Sequence, residues 1–223
     1  MSESKHSTLP SKRHIICDDA QLWLKKQKSL PNVITGICDL DEINMNMPQY
    51  LDFFTNIARM IFEKIDPKGY VIFIQTDRKY NRSWIDKSYI LSSLADSYGL
   101  KMIWHKIVLL RGVDRTDLHR PTYAHMLCYS VEGTTGSATP DVIPVSKRIY
   151  KNATPVAAAL RAVEFVRKYS NSNTVIDPFV GRGTIPAIAN MVGLDAVGVD
   201  IDQKQCQEAK ALNITRDMIS YYL

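Results

Sequence analysis

The stretch NTVIDPFVGRGTIPAIANMVGLDAVGVDID, residues 173–202, decides the fold. Thr174, Val175 and Ile176 form a β-branched run that reads as a strand and stops at Asp177-Pro178-Phe179. Gly181-Arg182-Gly183-Thr184 reads as a tight turn, and Ile185 to Met191 has helical spacing. A second apolar run, Ala196 to Ile201, ends on Asp200 and Asp202. Strand, glycine loop, helix, strand and acid follow one another as in the βαβ unit that receives a nucleoside-bearing cofactor. The glycines let backbone approach a ligand where a Cβ would clash. The acid at the end of the second strand suits the two hydroxyls of a ribose.

The details of the loop discriminate between cofactors. A dinucleotide fingerprint has a third glycine and leaves its helix N-terminus free for pyrophosphate. Here Pro186, or Ile185 with a shifted count, fills the third glycine's place, and the carboxylate of Asp177 would repel pyrophosphate. Both features oppose a nucleotide-dependent oxidoreductase. Asp177 suits a ligand with a positive centre, such as the amino group and sulfonium of S-adenosylmethionine (SAM). DPFVGRGT (177–184), followed by GVDID (198–202), resembles the cofactor loop D-P-F-x-G-x-G-T of the SAM-dependent amino-methyltransferases that act on nucleic acid bases. The resemblance implies that Asp177, Pro178, Phe179, Gly181, Gly183 and Thr184 hold the methionine end of the cofactor, with Asp200 on the ribose.

Position matters as much as content. After residue 202 only one helix pattern remains, Gln203–Ile219, so the other strands must come from upstream. That order resembles the β-class, circularly permuted members of the family, with the catalytic half first. The implied fold is α/β: a Rossmann-like class I SAM-dependent methyltransferase, circularly permuted, with a mostly parallel seven-stranded sheet. Its strands are expected near His14, Val33, Gly69, Lys101, Ala124, Thr174 and Asp195.

With 223 residues, 45% of them hydrophobic, the chain is long enough for one well-buried α/β domain. Residues 1–12 read as a disordered tail, 13–223 as a single domain, and 132–150, rich in Gly, Ser and Thr, as a flexible connector. A net charge of +5 is compatible with a nucleic acid partner. The four cysteines and five histidines show no metal-ligand spacing, and no metal is expected. Neither a secretory signal nor a membrane-length apolar run is present, so a soluble, intracellular protein is expected.

Upstream, the resemblance assigns further residues. HIIC (14–17) matches the family's opening strand, which implies Asp19 beside the adenine; Asp18 or Asp19 could equally cap the helix that follows. VITGIC (33–38) leads to Asp39-Leu40-Asp41-Glu42 where the family places a D-P-P-Y tetrapeptide. Only Asp39 survives. It would accept a hydrogen bond from the acceptor amine, with Tyr50 or another aromatic stacking on the base. Alternatively Asp41 or Glu42 would serve as a general base toward a ring N–H, or catalysis is lost and the chain is a binding subunit. KNATP (151–155) loosely resembles a short family motif over the methionine part, making Thr154 a cofactor contact or a plain helix cap.

Two loops carry cations: Arg78, Lys79 and Arg82 interleaved with Tyr80 and Trp84 in one, and Arg111, Arg115, His119 and Arg120 in the other. The first suits phosphate contact and base stacking, although Trp84 could equally be a packed anchor; the second is a further candidate for nucleic-acid contact. Some DNA-modifying relatives carry an inserted target-recognition domain where this chain has only residues 132–143. That favours RNA over DNA as substrate, or a partner protein that supplies recognition.

Overall fold

The protein is described from a computed structural model covering residues 11–118, 120–134 and 139–223. The tail reading for residues 1–10, the middle of the expected connector and His119 lie outside the described residues. In chain order the strands are β1 (Arg13–Cys17), β2 (Val33–Thr35), β3 (Val71–Gln75), β4 (Arg78–Tyr80), β5 (Ser83–Ile85), β6 (Lys101–Leu109), β7 (Tyr123–Ser130), β8 (Val142–Ile143), β9 (Thr174–Asp177) and β10 (Asp195–Asp200). The helices are α1 (Ala20–Lys26), α2 (Met47–Phe62), α3 (Lys87–Ser97), α4 (Val156–Tyr169), α5 (Thr184–Met191), α6 (Gln203–Ala211) and α7 (Arg216–Tyr222).

The main sheet has the order β1-β10-β9-β2-β3-β7-β6-β8. It is parallel from β1 to β3; β3–β7 and β7–β6 are antiparallel, and β8 runs parallel to β6. All seven expected strands are present. The eighth, β8, comes from the stretch read as a connector, and pairs Val142 and Ile143 with Ile107 and Val108.

Alternate strand residues face opposite cores, as the pleat requires. Val33, Val71, Phe73, Leu127 and Tyr129 pack with α1, α2 and α3. Ile34, Ile72, Met126 and Cys128 pack with α4, α5 and α7. Buried on both faces, these strands read as continuous apolar runs.

Two expectations are corrected. The basic stretch from Arg78 to Trp84 lies in the hairpin β4–β5, not a loop, because Asn81 and Arg82 both adopt positive φ (48° and 62°), the geometry of a two-residue turn that matches strand twist. The expected helix Gln203–Ile219 is two helices, because Leu212 leaves helical geometry and Thr215 caps a new start.

The glycine loop is fixed by packing. Gly183 has φ +92°, and a Cβ there would lie 2.8 Å from Ala209 Cα on α6. Gly183→Ala is therefore expected to destabilise the fold by about 2–4 kcal/mol, from backbone strain plus the clash. A urea midpoint unchanged from that of the native protein would contradict this placement.

Candidate active site

The parallel strands β9, β10, β1 and β2 end along one edge, and there a cleft of about 990 Å³ opens. Asp177, the last residue of β9, is 4% exposed. Its Oδ1 accepts from Thr35 Oγ1 at 2.7 Å and from the Phe179 amide at 3.2 Å. Burial dominates those bonds and pushes the Asp177 carboxyl up to about 7. Asp200, ending β10, accepts from Gly181 N through Oδ2 and from Asp202 N through Oδ1, both at 2.9 Å. It thus ties the glycine loop to the neighbouring strand. Asp202 caps α6 through Gln205 N.

Tyr150 is a residue that sequence reading missed. Its hydroxyl accepts from Arg182 N at 3.1 Å and lies 3.3 Å from Thr184 Oγ1, while the Arg182 guanidinium stacks 4.4 Å from its ring. Asp19 caps α1 through Leu22 N at 2.9 Å and also lines the cleft, so it can do both jobs foreseen for it. Thr154 lines the cleft as well; the capping position of α4 is Pro155, so Thr154 is not the cap. Pro178, Phe179, Gly181 and Thr184 all face the same space.

The other wall carries the acids that follow β2. Gly36 passes close to β3, where a Cβ would sit 2.8 Å from Ile74 O. Asp39 then caps a short 3-10 turn, Leu40–Glu42, accepting from Leu40 N at 2.8 Å while Glu42 accepts from Asp39 N at 3.3 Å. Three cations converge on Asp39: Lys87 Nζ at 3.1 Å, Arg120 at 3.2 Å and Arg78 at 3.6 Å. Lys87 is fully buried, over the rings of Tyr50 (5.0 Å) and Phe54 (5.7 Å). Burial lowers its pKa and Asp39 opposes that shift.

Asp39 and Glu42 line the cleft. Asp41 instead makes ion pairs at 2.6 Å with both Arg78 and Arg120, which hold its carboxyl far below the ordinary range. A carboxylate so held is a poor proton acceptor, which disfavours the general-base role for Asp41. Tyr50 is 0% exposed, with its hydroxyl on Cys38 O, so it cannot stack on an entering base. Phe53 takes the place beside the cleft, edge-on to Phe179 at 6.1 Å.

The basic hairpin β4–β5 and the basic loop between β6 and β7 form one assembly. Arg78 and Arg120 meet on Asp39 and Asp41, Lys79 Nζ donates to Asp117 O at 2.7 Å, and Arg111 pairs with Asp117 at 2.9 Å. Tyr80, Arg82 and Trp84 line a hollow of about 480 Å³ with Leu118. Arg115 is exposed. Trp84 is both anchored and open: its Nε1 donates to Asp77 at 3.0 Å, yet it is 46% exposed. Asp77, also missed, is buried and accepts from Lys87 N at 2.9 Å, with His125 Nε2 at 3.0 Å. His125 Nδ1 lies 2.8 Å from His105 Nε2, so both ring nitrogens of His125 have partners. Among the described residues no His, Cys, Asp or Glu group is arranged to hold a metal ion, and no helix is long and apolar enough to cross a membrane.

The donor set suits a cationic, ribose-bearing ligand: a buried carboxylate, a glycine loop packed close, and a second acid one strand over. Solved structures share the whole fold. TTHA0409, a putative DNA modification methylase from Thermus thermophilus, superposes with a TM-score of 0.68 at 18% identity, over 90% of this chain and 93% of that one. The PvuII cytosine-N4-specific DNA methyltransferase gives 0.70 at 13% identity over 95% and 91%. M1.HpyAVI in complex with SAM gives 0.62 at 15% identity over 89% and 98%. The fold is therefore the class I methyltransferase fold, with eight strands rather than the seven expected. No curated protein matches. The family model described as DNA methylase matches residues 96–211, just over half of the 223, and on that match the chain belongs to the DNA methylase family of N6 and N4 amino-methyltransferases acting on nucleic acid bases.

Proposed function

We propose that this protein transfers a methyl group from SAM to an amino nitrogen of a nucleic acid base, with DNA ahead of RNA as substrate. The observation that carries the reading is the shared cleft: Asp177, the glycine loop and Asp200 face it from one side, Asp39 from the other. SAM supplies an electrophilic methyl carbon on a sulfonium. Asp177 would answer the cofactor's positive charge, the loop backbone would let it approach, Asp200 would take the ribose hydroxyls and Asp19, on the same cleft, would serve the adenine. Asp39 would accept an N–H of the acceptor amine and leave the nitrogen lone pair free to form the N–C bond as the S–C bond breaks, the sulfonium leaving as a neutral thioether and the amine losing one proton to solvent. Lys87, Arg78 and Arg120 fix that carboxylate in place. Alignment supplies most of the catalysis, and a paired base must first leave its stack. The catalytic acid precedes the cofactor loop in the chain, which supports the permuted reading.

The expectation of RNA rests on the missing recognition insert. TTHA0409 is described as a putative DNA modification methylase, yet this chain already spans 93% of it. A chain of this size therefore does not point away from DNA, and the family match points toward it. A second reading, a catalytically degenerate subunit that binds nucleic acid or a catalytic partner, rests on Leu40, Asp41 and Glu42 standing where the family has P-P-Y. Incubation with labelled SAM and either genomic DNA or total RNA separates the readings. Label in DNA, released as an N4- or N6-methylated nucleoside, is expected. Saturable SAM binding with no label in either pool would contradict the proposal for the isolated chain and point to a non-catalytic or partner-dependent subunit.

A further inference from the structure

At the antiparallel end of the sheet three chain segments open onto the same cleft. Leu109 at the end of β6 faces Tyr123 at the start of β7, and Ile143 of β8 runs beside Val108. The chain leaving β6 carries Arg111, the chain entering β7 carries Arg120, and the chain leaving β8 carries Arg148. All three line the cleft that Asp39 and Asp177 face. The segment bearing Arg148 is pinned: Lys147 N donates to Tyr222 O at 2.9 Å and Val156 N to Lys147 O at 3.2 Å.

The three charges are unequally answered. Arg120 pairs with Asp39 and Asp41, and Arg111 pairs with Asp117. Arg148 has no ion pair among the described residues. Partial desolvation lowers its pKa first, and the like charges of Arg111 and Arg120 lower it further, with no carboxylate opposing them. A guanidinium that shares its cleft with two others and has no ion pair among the described residues is relieved by an anion, and its planar fork matches a phosphate.

We propose that Arg148, flanked by Arg111 and Arg120, binds a backbone phosphate of the nucleic acid strand whose base enters at Asp39. This rests on the function proposed above and adds the contact that positions the strand independently of sequence. The contact lies at the acceptor end of the cleft, because Arg120 is tied to Asp39. At the cofactor end, the Gly181 and Arg182 amides are already taken by Asp200 and Tyr150.

The test is fluorescence anisotropy with a labelled, mixed-sequence single-stranded DNA oligonucleotide over a range of salt, beside calorimetry with SAM. Arg148 is exposed, so its variants should fold. Arg148→Ala is expected to weaken oligonucleotide binding and to reduce the slope of log affinity against log salt by about 0.7, one phosphate contact on a single strand. Arg148→Lys should keep the slope, and SAM affinity should be unchanged in both. Native slope and affinity in Arg148→Ala would overturn the proposal. So would loss of SAM affinity with unchanged oligonucleotide binding, which would place Arg148 on the cofactor's carboxylate. A native protein that binds no oligonucleotide at any salt would overturn the proposed function itself, a result distinct from failure of the variant alone.

Discussion

Asp177→Asn is expected to abolish SAM binding while making the ligand-free protein more stable above pH 7. Asp177 is buried and its carboxyl is raised to about 7, against about 3.9 in an unfolded chain. Between those values the unfolded chain has lost this proton and the folded protein keeps it. The folded state therefore binds more protons, and stability falls as pH rises from about 4 to about 7, then levels off. The loss attributable to this group is at most about 4 kcal/mol, and Asn, which cannot ionise, should remove it. A cationic ligand reverses the balance by favouring the carboxylate. SAM affinity of the native protein should thus rise with pH up to about 7, with a proton released on binding below it. Urea midpoints and calorimetric titrations at pH 5 and pH 8 check both halves. Parallel pH–stability curves for the two proteins would contradict the account of Asp177.

Asp39→Ala is expected to destabilise the fold as well as stop transfer, because it strands a fully buried Lys87. Breaking a buried pair by removing one partner costs about 3–5 kcal/mol, whereas removing both can be nearly neutral. Asp39→Ala/Lys87→Met should therefore regain most of the lost stability. Equal urea midpoints for the single and double variants would show that the pair is not the source of the cost.

The candidate site was legible in sequence where its geometry is local. Asp177, Gly181, Gly183 and Asp200 lie within one βαβ unit, and the chain's path through that unit places them together. Asp39 was proposed from its position after β2. The interactions that set its chemistry come from far along the chain: Lys87 is 48 residues away and Arg120 binds Asp41 across 79. Tyr150 meets Arg182 across 32 residues, with only an unremarkable loop between β8 and α4 to announce it. Tyr50 could have been read correctly: with Phe54, Ile57 and Ile61 it completes a helical stripe, and all four are buried. The hairpin β4–β5 was hidden because two non-glycine residues make its turn. Strand β8 was hidden because two residues carry no periodicity.

Methyl transfer by the SAM-loaded Asp39→Ala/Lys87→Met protein tests the central claim most directly. This variant should fold and bind SAM with native affinity, since neither residue belongs to the cofactor end of the cleft. With labelled SAM and the nucleic acid that the native enzyme methylates, no transfer above background is predicted. Transfer at the native rate would show that Asp39 does not receive the acceptor amine and would contradict the assignment of this wall as the catalytic one.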